Sequence, residues 1–115
     1  MKGGDPFIFG RGGEEAEFLK KHNVKYEIIP GITSGMGSAE YSGIPLTHRN
    51  YASSVVFVTG HEDAKKKEGV VDWKRLAKAV DTIVIMMGLS RLEIISKKLI
   101  SGGLEKNTPV AVIQN

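Results

Sequence analysis

The chain changes its rhythm of polar and apolar positions several times. Glycines at 3, 4, 10, 12 and 13 surround the apolar stretch Phe7, Ile8, Phe9. A helix is predicted over 13–22: Glu14, Glu15 and Glu17 suit its positive N-terminus, Lys20 and Lys21 its negative end, and Phe18 with Leu19 would face a core. Residues 25–30 alternate and end in Ile-Ile before Pro-Gly, which predicts a strand followed by a break. A second helix, over 32–41, is rich in glycine and has Thr33 or Ser34 as its cap; Gly35 and Gly37 weaken it unless something packs close.

Past the punctuated connector 43–49, residues 53–60 form the apolar, β-branched run of a buried parallel strand. A helix over 72–79, a strand over 82–87, a helix over 90–100 with Leu92, Ile95 and Leu99 on one stripe, and a strand over 109–113 complete the pattern. Strand and helix alternate, so the fold class is α/β with mostly parallel sheets.

Composition changes this picture little. At 115 residues, 41% hydrophobic and 25% charged, the chain supports one small core. It has no cysteine, which excludes disulfides, thiolate metal sites and cysteine nucleophiles, and makes a reducing cytoplasm its simplest location. No apolar run approaches the roughly 18–20 residues of a membrane span, and the N-terminus lacks a signal-peptide core, so the reading is a soluble protein with no membrane partner. The net charge of +3 is that of a solvated basic surface. The lysines at 65–67 read as a loop, and the few scattered aromatic residues make no base-stacking platform, so no nucleic-acid partner is expected.

The glycine segment lets main-chain amides approach a ligand closely. It lacks both the spacing of a dinucleotide fingerprint and the Gly-Lys-Ser/Thr of a Walker loop, which counts against a nucleotide-phosphate site. Asp5 beside Pro6 either caps a turn or holds a polar group of a cofactor in an α/β crevice. Arg11 either pairs with Glu14 or Glu15 at the surface or grips a ligand carboxylate. His22, His48 and His61 share no metal-binding spacing, and no metal is expected. Met87 stands at a strand's carboxyl end before Gly88, where α/β folds place ligands.

Five motifs occur in order: GGDPFIFGRGGEE at 3–15, PGITS at 30–34, GIPLTHR at 43–49, VTGHE at 58–62 and MGL at 87–89. Together they resemble the uroporphyrinogen-III C-methyltransferases of the tetrapyrrole methylase family, over essentially the whole chain. The resemblance implies two α/β lobes, a homodimer, and S-adenosylmethionine bound between the lobes. Residues 1–49 would be the C-terminal half of the first lobe with its connector, and 50–115 the N-terminal half of the second; the family's opening strand and the segment after Asn115 are missing from the pattern. It implies cofactor contacts at Gly3, Gly4, Asp5, Ile8, Thr33, Ser34 and Met87, and substrate contacts at Arg11, Glu14, Arg49 and Met87. Arg11 and Glu14 would be catalytic, Arg11 resembling a residue proposed for proton removal. The chain departs from the family pattern at Ala39 and Glu40, before Tyr41.

The reaction so implied is methylation of uroporphyrinogen III to precorrin-2, in sirohaem and cobalamin synthesis. The reduced macrocycle is the nucleophile, and the protein's main task is alignment. Three rivals stand beside it: another precorrin methyltransferase, a non-catalytic cofactor-binding or dimerisation fragment, and a nucleotide-phosphate binder.

Overall fold

The structure, a computed structural model, describes residues 3–61 and 71–114. Its centre is a pair of parallel strands, β1 (Val55–Thr59) and β2 (Thr82–Met86), in register Val55 with Thr82 through Thr59 with Met86. Parallel strands need a long crossover, and this one carries helix α3 (Trp73–Ala79). Asp72 caps α3 by accepting a hydrogen bond from the Arg75 amide at 3.1 Å. Beyond β2, a single 3-10 turn, Leu89–Arg91, leads into α4 (Leu92–Ser101).

Side chains of successive strand residues point to opposite faces, and both faces of the ribbon are covered. Val58, Ile83 and Ile85 pack against the buried cluster of Trp73, Ala77, Ile95 and Leu99, contributed by α3 and α4. On the other face Phe57, Val84 and Met86 surround Gly35 of α2 (Ser34–Tyr41). A methyl group added at Gly35 would lie 2.5 Å from Met86 Sδ, so α2 reaches the sheet because that position lacks a side chain. The glycine expected to weaken this helix is its packing contact.

The sheet is pinned at the ends where β1 and β2 begin. One carboxylate oxygen of Asp81 accepts hydrogen bonds from the amides and hydroxyls of both Ser53 and Ser54, at 2.8–3.1 Å. Ser54 Oγ in turn accepts from the Asp81 amide at 2.9 Å. The Ser54 hydroxyl first, and then the Ser53 donors, hold the Asp81 carboxyl below its ordinary value. A depressed native value stabilises the fold above the unfolded carboxyl value, and that contribution is lost as pH falls below about 4. Urea titrations at falling pH are expected to show the native chain losing stability in that window, and Asp81→Asn losing less of it.

Helix α1 (Gly12–Lys21) forms one residue earlier than the charge pattern predicts, with Glu14 and Glu15 in its first turn and Lys20 and Lys21 in its last. Two predicted strands do not form. Residues 25–30 and 109–113 have the alternation of strands, but among the described residues no neighbouring strand pairs with them, and a strand exists only through its ladder. Their apolar side chains stay in solvent, Ile29 at 76% and Val110 at 74% exposed. The predicted lysine loop at 65–67 and Glu62 of the VTGHE motif lie outside the described residues. The radius of gyration is 16.4 Å, against about 13 Å for a compact domain of this length. The chain therefore holds one tight core around β1 and β2 and a looser remainder, to which the candidate site belongs.

Candidate functional site

The glycine loop folds back on itself before α1 begins. Asp5 Oδ1 accepts from the amides of Phe7 at 2.8 Å and Ile8 at 3.0 Å, which is the turn-capping arrangement open to an Asx residue. Pro6 O then accepts from the Gly12 amide at 2.8 Å and closes the loop. The turn needs bare backbone, since a Cβ at Gly10 or Gly12 would meet the Pro6 carbonyl oxygen at 2.6 or 2.4 Å. Phe9 and Arg11 adopt left-handed conformations, φ 54° and 57°. Such conformations are strained in a residue as bulky as phenylalanine and persist only where surrounding structure imposes them. Phe7, Ile8 and Phe9 are thrust outward, each between 43 and 56% exposed.

The second wall is the turn that enters α2. Asp5 Oδ2 reaches across 26 residues of sequence and accepts from the Gly31 amide at 3.1 Å. Gly4, at φ 77°, lies against the Ile32 carbonyl and close to Thr33 and Ser34. Thr33 is the N-cap residue of α2, and its carbonyl accepts from the amides of Met36 and Gly37, both at 3.0 Å. The residue is only 4% exposed, yet its hydroxyl makes no capping hydrogen bond. Among the described residues the amides of Ser34 and Gly35 are likewise without an acceptor, as at the open first turn of any helix. Through Gly35 and Met86 this helix end stands near the carboxyl end of β2.

Four of the predicted cofactor residues, Gly4, Asp5, Thr33 and Ser34, are thus brought together. Gly3 faces open space on the same strip of backbone, and Ile8 joins it through its amide bond to Asp5. Arg11 and Glu14 form a second group: Arg11 Nε donates to both carboxylate oxygens of Glu14, at 3.2 and 3.1 Å, and Nη2 donates to Oε2. The hydrogen bond that Arg11 donates to Glu14, and after it the Glu14 charge, raise the Arg11 pKa above its ordinary value. Arg49 is exposed in a tight turn where the His48 amide donates to Ala52 O at 2.8 Å and the His48 and Tyr51 rings lie 4.8 Å apart.

Met87, also left-handed at φ 54° and 60% exposed, borders a different cleft of about 480 Å³. Ile83, Ile85, Leu92 and Ile95 line that cleft on one side and residues 110–114 on the other. No described contact joins Arg49 or Met87 to the Gly4 and Thr33 group. Gly31 was missed in the sequence; its signal was the Pro30-Gly31 break, read only as a strand end. Among the described residues no group of three or more His, Asp or Glu side chains is placed to hold a metal ion, and no helix is long and apolar enough to cross a membrane.

A helix N-terminus open beside the carboxyl ends of parallel strands, approached by glycine backbone, is the place where α/β proteins hold their ligands. The comparisons specify the class: the model of the tetrapyrrole (corrin/porphyrin) methylases matches residues 1–115, and the chain belongs to that family. It is 54% identical over 114 residues to the uroporphyrinogen-III C-methyltransferase of Bacillus subtilis, covering 98% of this chain and 44% of the relative. It is 55% identical over 116 residues to the siroheme synthase of Nitrosospira multiformis, covering 99% of this chain and 24% of that protein. Among solved structures, the Thermus thermophilus uroporphyrin-III C-methyltransferase complexed with S-adenosyl homocysteine superposes with a TM-score of 0.75 at 42% identity, over 90% of this chain and 42% of its own. A cobalt precorrin-4 methyltransferase superposes with a TM-score of 0.76 at 27% identity, over 90% of this chain and 43% of its own. The chain spans less than half the length of each of these relatives.

Proposed function

We propose that this chain is the cofactor-cradling portion of an S-adenosylmethionine-dependent uroporphyrinogen-III C-methyltransferase, which makes precorrin-2 for sirohaem or cobalamin. The observation that carries the proposal is the meeting of the Gly4–Asp5 backbone with the N-terminus of α2, where among the described residues the hydroxyl of buried Thr33 and the Ser34 and Gly35 amides stand without partners. These donors and the close backbone fit a zwitterionic cofactor with a carboxylate and a bulky nucleoside.

When bound, the cofactor supplies a methyl group activated by its sulfonium. The chain's own part is to hold and align. Gly3, Gly4, Asp5 and Ile8 form one wall of the cradle and Thr33 and Ser34 the other; Met87, which borders a separate cleft, is assigned to the cofactor by the resemblance alone. Excluding water and fixing an attack geometry are together worth up to about 7–11 kcal/mol of barrier. Arg11, Glu14 and Arg49 form the substrate side, where guanidinium forks suit the many carboxylates of a porphyrinogen. Arginine stays charged in proteins, so Arg11 acts as an anchor, and Glu14, held on its guanidinium, is the remaining candidate for proton removal. The finer expectations join the proposal: lobes meeting near residue 49, a homodimer, and a cytoplasmic location. A later precorrin as substrate is the second reading, favoured by the precorrin-4 enzyme's superposition and disfavoured by its lower identity.

The test is calorimetric titration of S-adenosylhomocysteine into the chain, followed by methylation of uroporphyrinogen III by the full-length protein. Binding and two methyl additions are expected; neither cofactor binding nor methylation in the full-length protein would end the proposal. Arg11→Lys keeps the charge and loses the fork, and is expected to raise the KM for uroporphyrinogen III about ten- to hundredfold with little change in S-adenosylhomocysteine affinity.

A further inference from the structure

Asp5 raises a question of stoichiometry. A carboxylate has about four acceptor positions, and three main-chain amides already occupy the Asp5 side chain: Phe7 and Ile8 on Oδ1 and Gly31 on Oδ2. The first two bonds are local. The third joins segments 26 residues apart and is made where the backbones of Gly4 and Gly31 touch, a Cβ at Gly31 meeting Gly4 O at 2.3 Å.

We propose that Asp5 is a positioning residue: its carboxylate clips the glycine loop to the turn before α2 and so sets the width of the cradle between Gly4 and Ser34. The inference rests on the cofactor reading above and changes what Asp5 does within it. The ligand meets the backbone that Asp5 holds, and the carboxylate commits three of its roughly four acceptor positions inside the protein. The amide of Gly31 first, and then that of Phe7, keep the carboxyl below its ordinary value, so the clip is ionised and closed at neutral pH.

The discriminating variant is Asp5→Asn. The amide oxygen can still accept from Phe7 and Ile8, so the local turn survives, whereas the NH2 group then faces the Gly31 N–H, donor against donor. Amide hydrogen exchange, read residue by residue on the unliganded chain, is expected to speed up at Gly31 and stay unchanged at Phe7 and Ile8. S-adenosylhomocysteine binding is expected to weaken about ten- to hundredfold, as misplacement of a binding group by roughly an ångström does. Wild-type affinity is further expected to fall as pH drops below about 4, and the variant's to lack that fall.

Weakened binding with Gly31 exchange unchanged would mean that the carboxylate contacts the ligand itself, and would overturn the clip. Faster Gly31 exchange with unchanged affinity would overturn its role in setting the cradle. If the wild-type chain takes up no S-adenosylhomocysteine, the cofactor reading fails instead, and the Gly31 exchange still decides whether the bond holds the loops.

Discussion

Replacing Trp73 by alanine is expected to remove about 3–5 kcal/mol of stability, a large part of the roughly 5–15 kcal/mol typical of a domain. Trp73 is 3% exposed at the first turn of α3, where it packs with Ala77, Ile95 and Leu99 under Val58, Ile83 and Ile85. Truncation would leave a void bounded on one side by the sheet and on the other by α4, neither of which can close in without breaking the contacts they share. Urea denaturation followed by far-UV circular dichroism measures the effect. Tyr41→Ala is the control, because Tyr41 is 97% exposed and its loss should leave the midpoint nearly unchanged. Equal shifts in the two variants would mean that the core is not centred on Trp73.

Gly31→Ala is expected to reduce S-adenosylhomocysteine affinity about a hundredfold or more. The added methyl carbon would fall 2.3 Å from Gly4 O and 2.7 Å from the Gly4 carbonyl carbon. Both are main-chain atoms, so no rotamer change relieves the clash, and the two walls of the cradle must separate. The buried cluster of Trp73, Ala77, Ile95 and Leu99 lies on the sheet face opposite α2, and thermal unfolding of that core should change little. Calorimetry with the ligand, paired with a thermal scan, separates the two effects. Unchanged affinity would show that the ligand does not lie between these loops.

What could be read in the sequence follows from the range of the forces involved. Helices α1, α3 and α4 were legible because charges at their ends and apolar stripes at helical spacing are local features, and β1 and β2 because continuous β-branched runs need burial on both faces. Residues 25–30 and 109–113 carry the same alternation but lack a paired neighbour, and no single-segment pattern reports whether a ladder is present. At the site, the glycines and Asp5 were visible as unusual backbone. The bond from the Gly31 amide to Asp5, and the union of Gly4 with Thr33 and Ser34, are long-range facts with no local signature. Arg11 and Glu14 stood three residues apart across a helix start, and their pairing was the expected surface contact. The left-handed backbone at Phe9, Arg11 and Met87 had no such signal, since nothing in those residue types asks for it.

The contact of α2 with the sheet also constrains how the sequence can drift. The space for α2 is shared between position 35, which contributes nothing, and the side chains of Met86, Val84 and Phe57, which fill what remains. Any lineage that gains a methyl at 35 must surrender volume at 84 or 86 in compensation, and the intermediate with only the first change sits in a fitness valley. Glycine at 35 and a long, pliable methionine at 86 should therefore be inherited as a unit, although fifty-odd residues of chain lie between them.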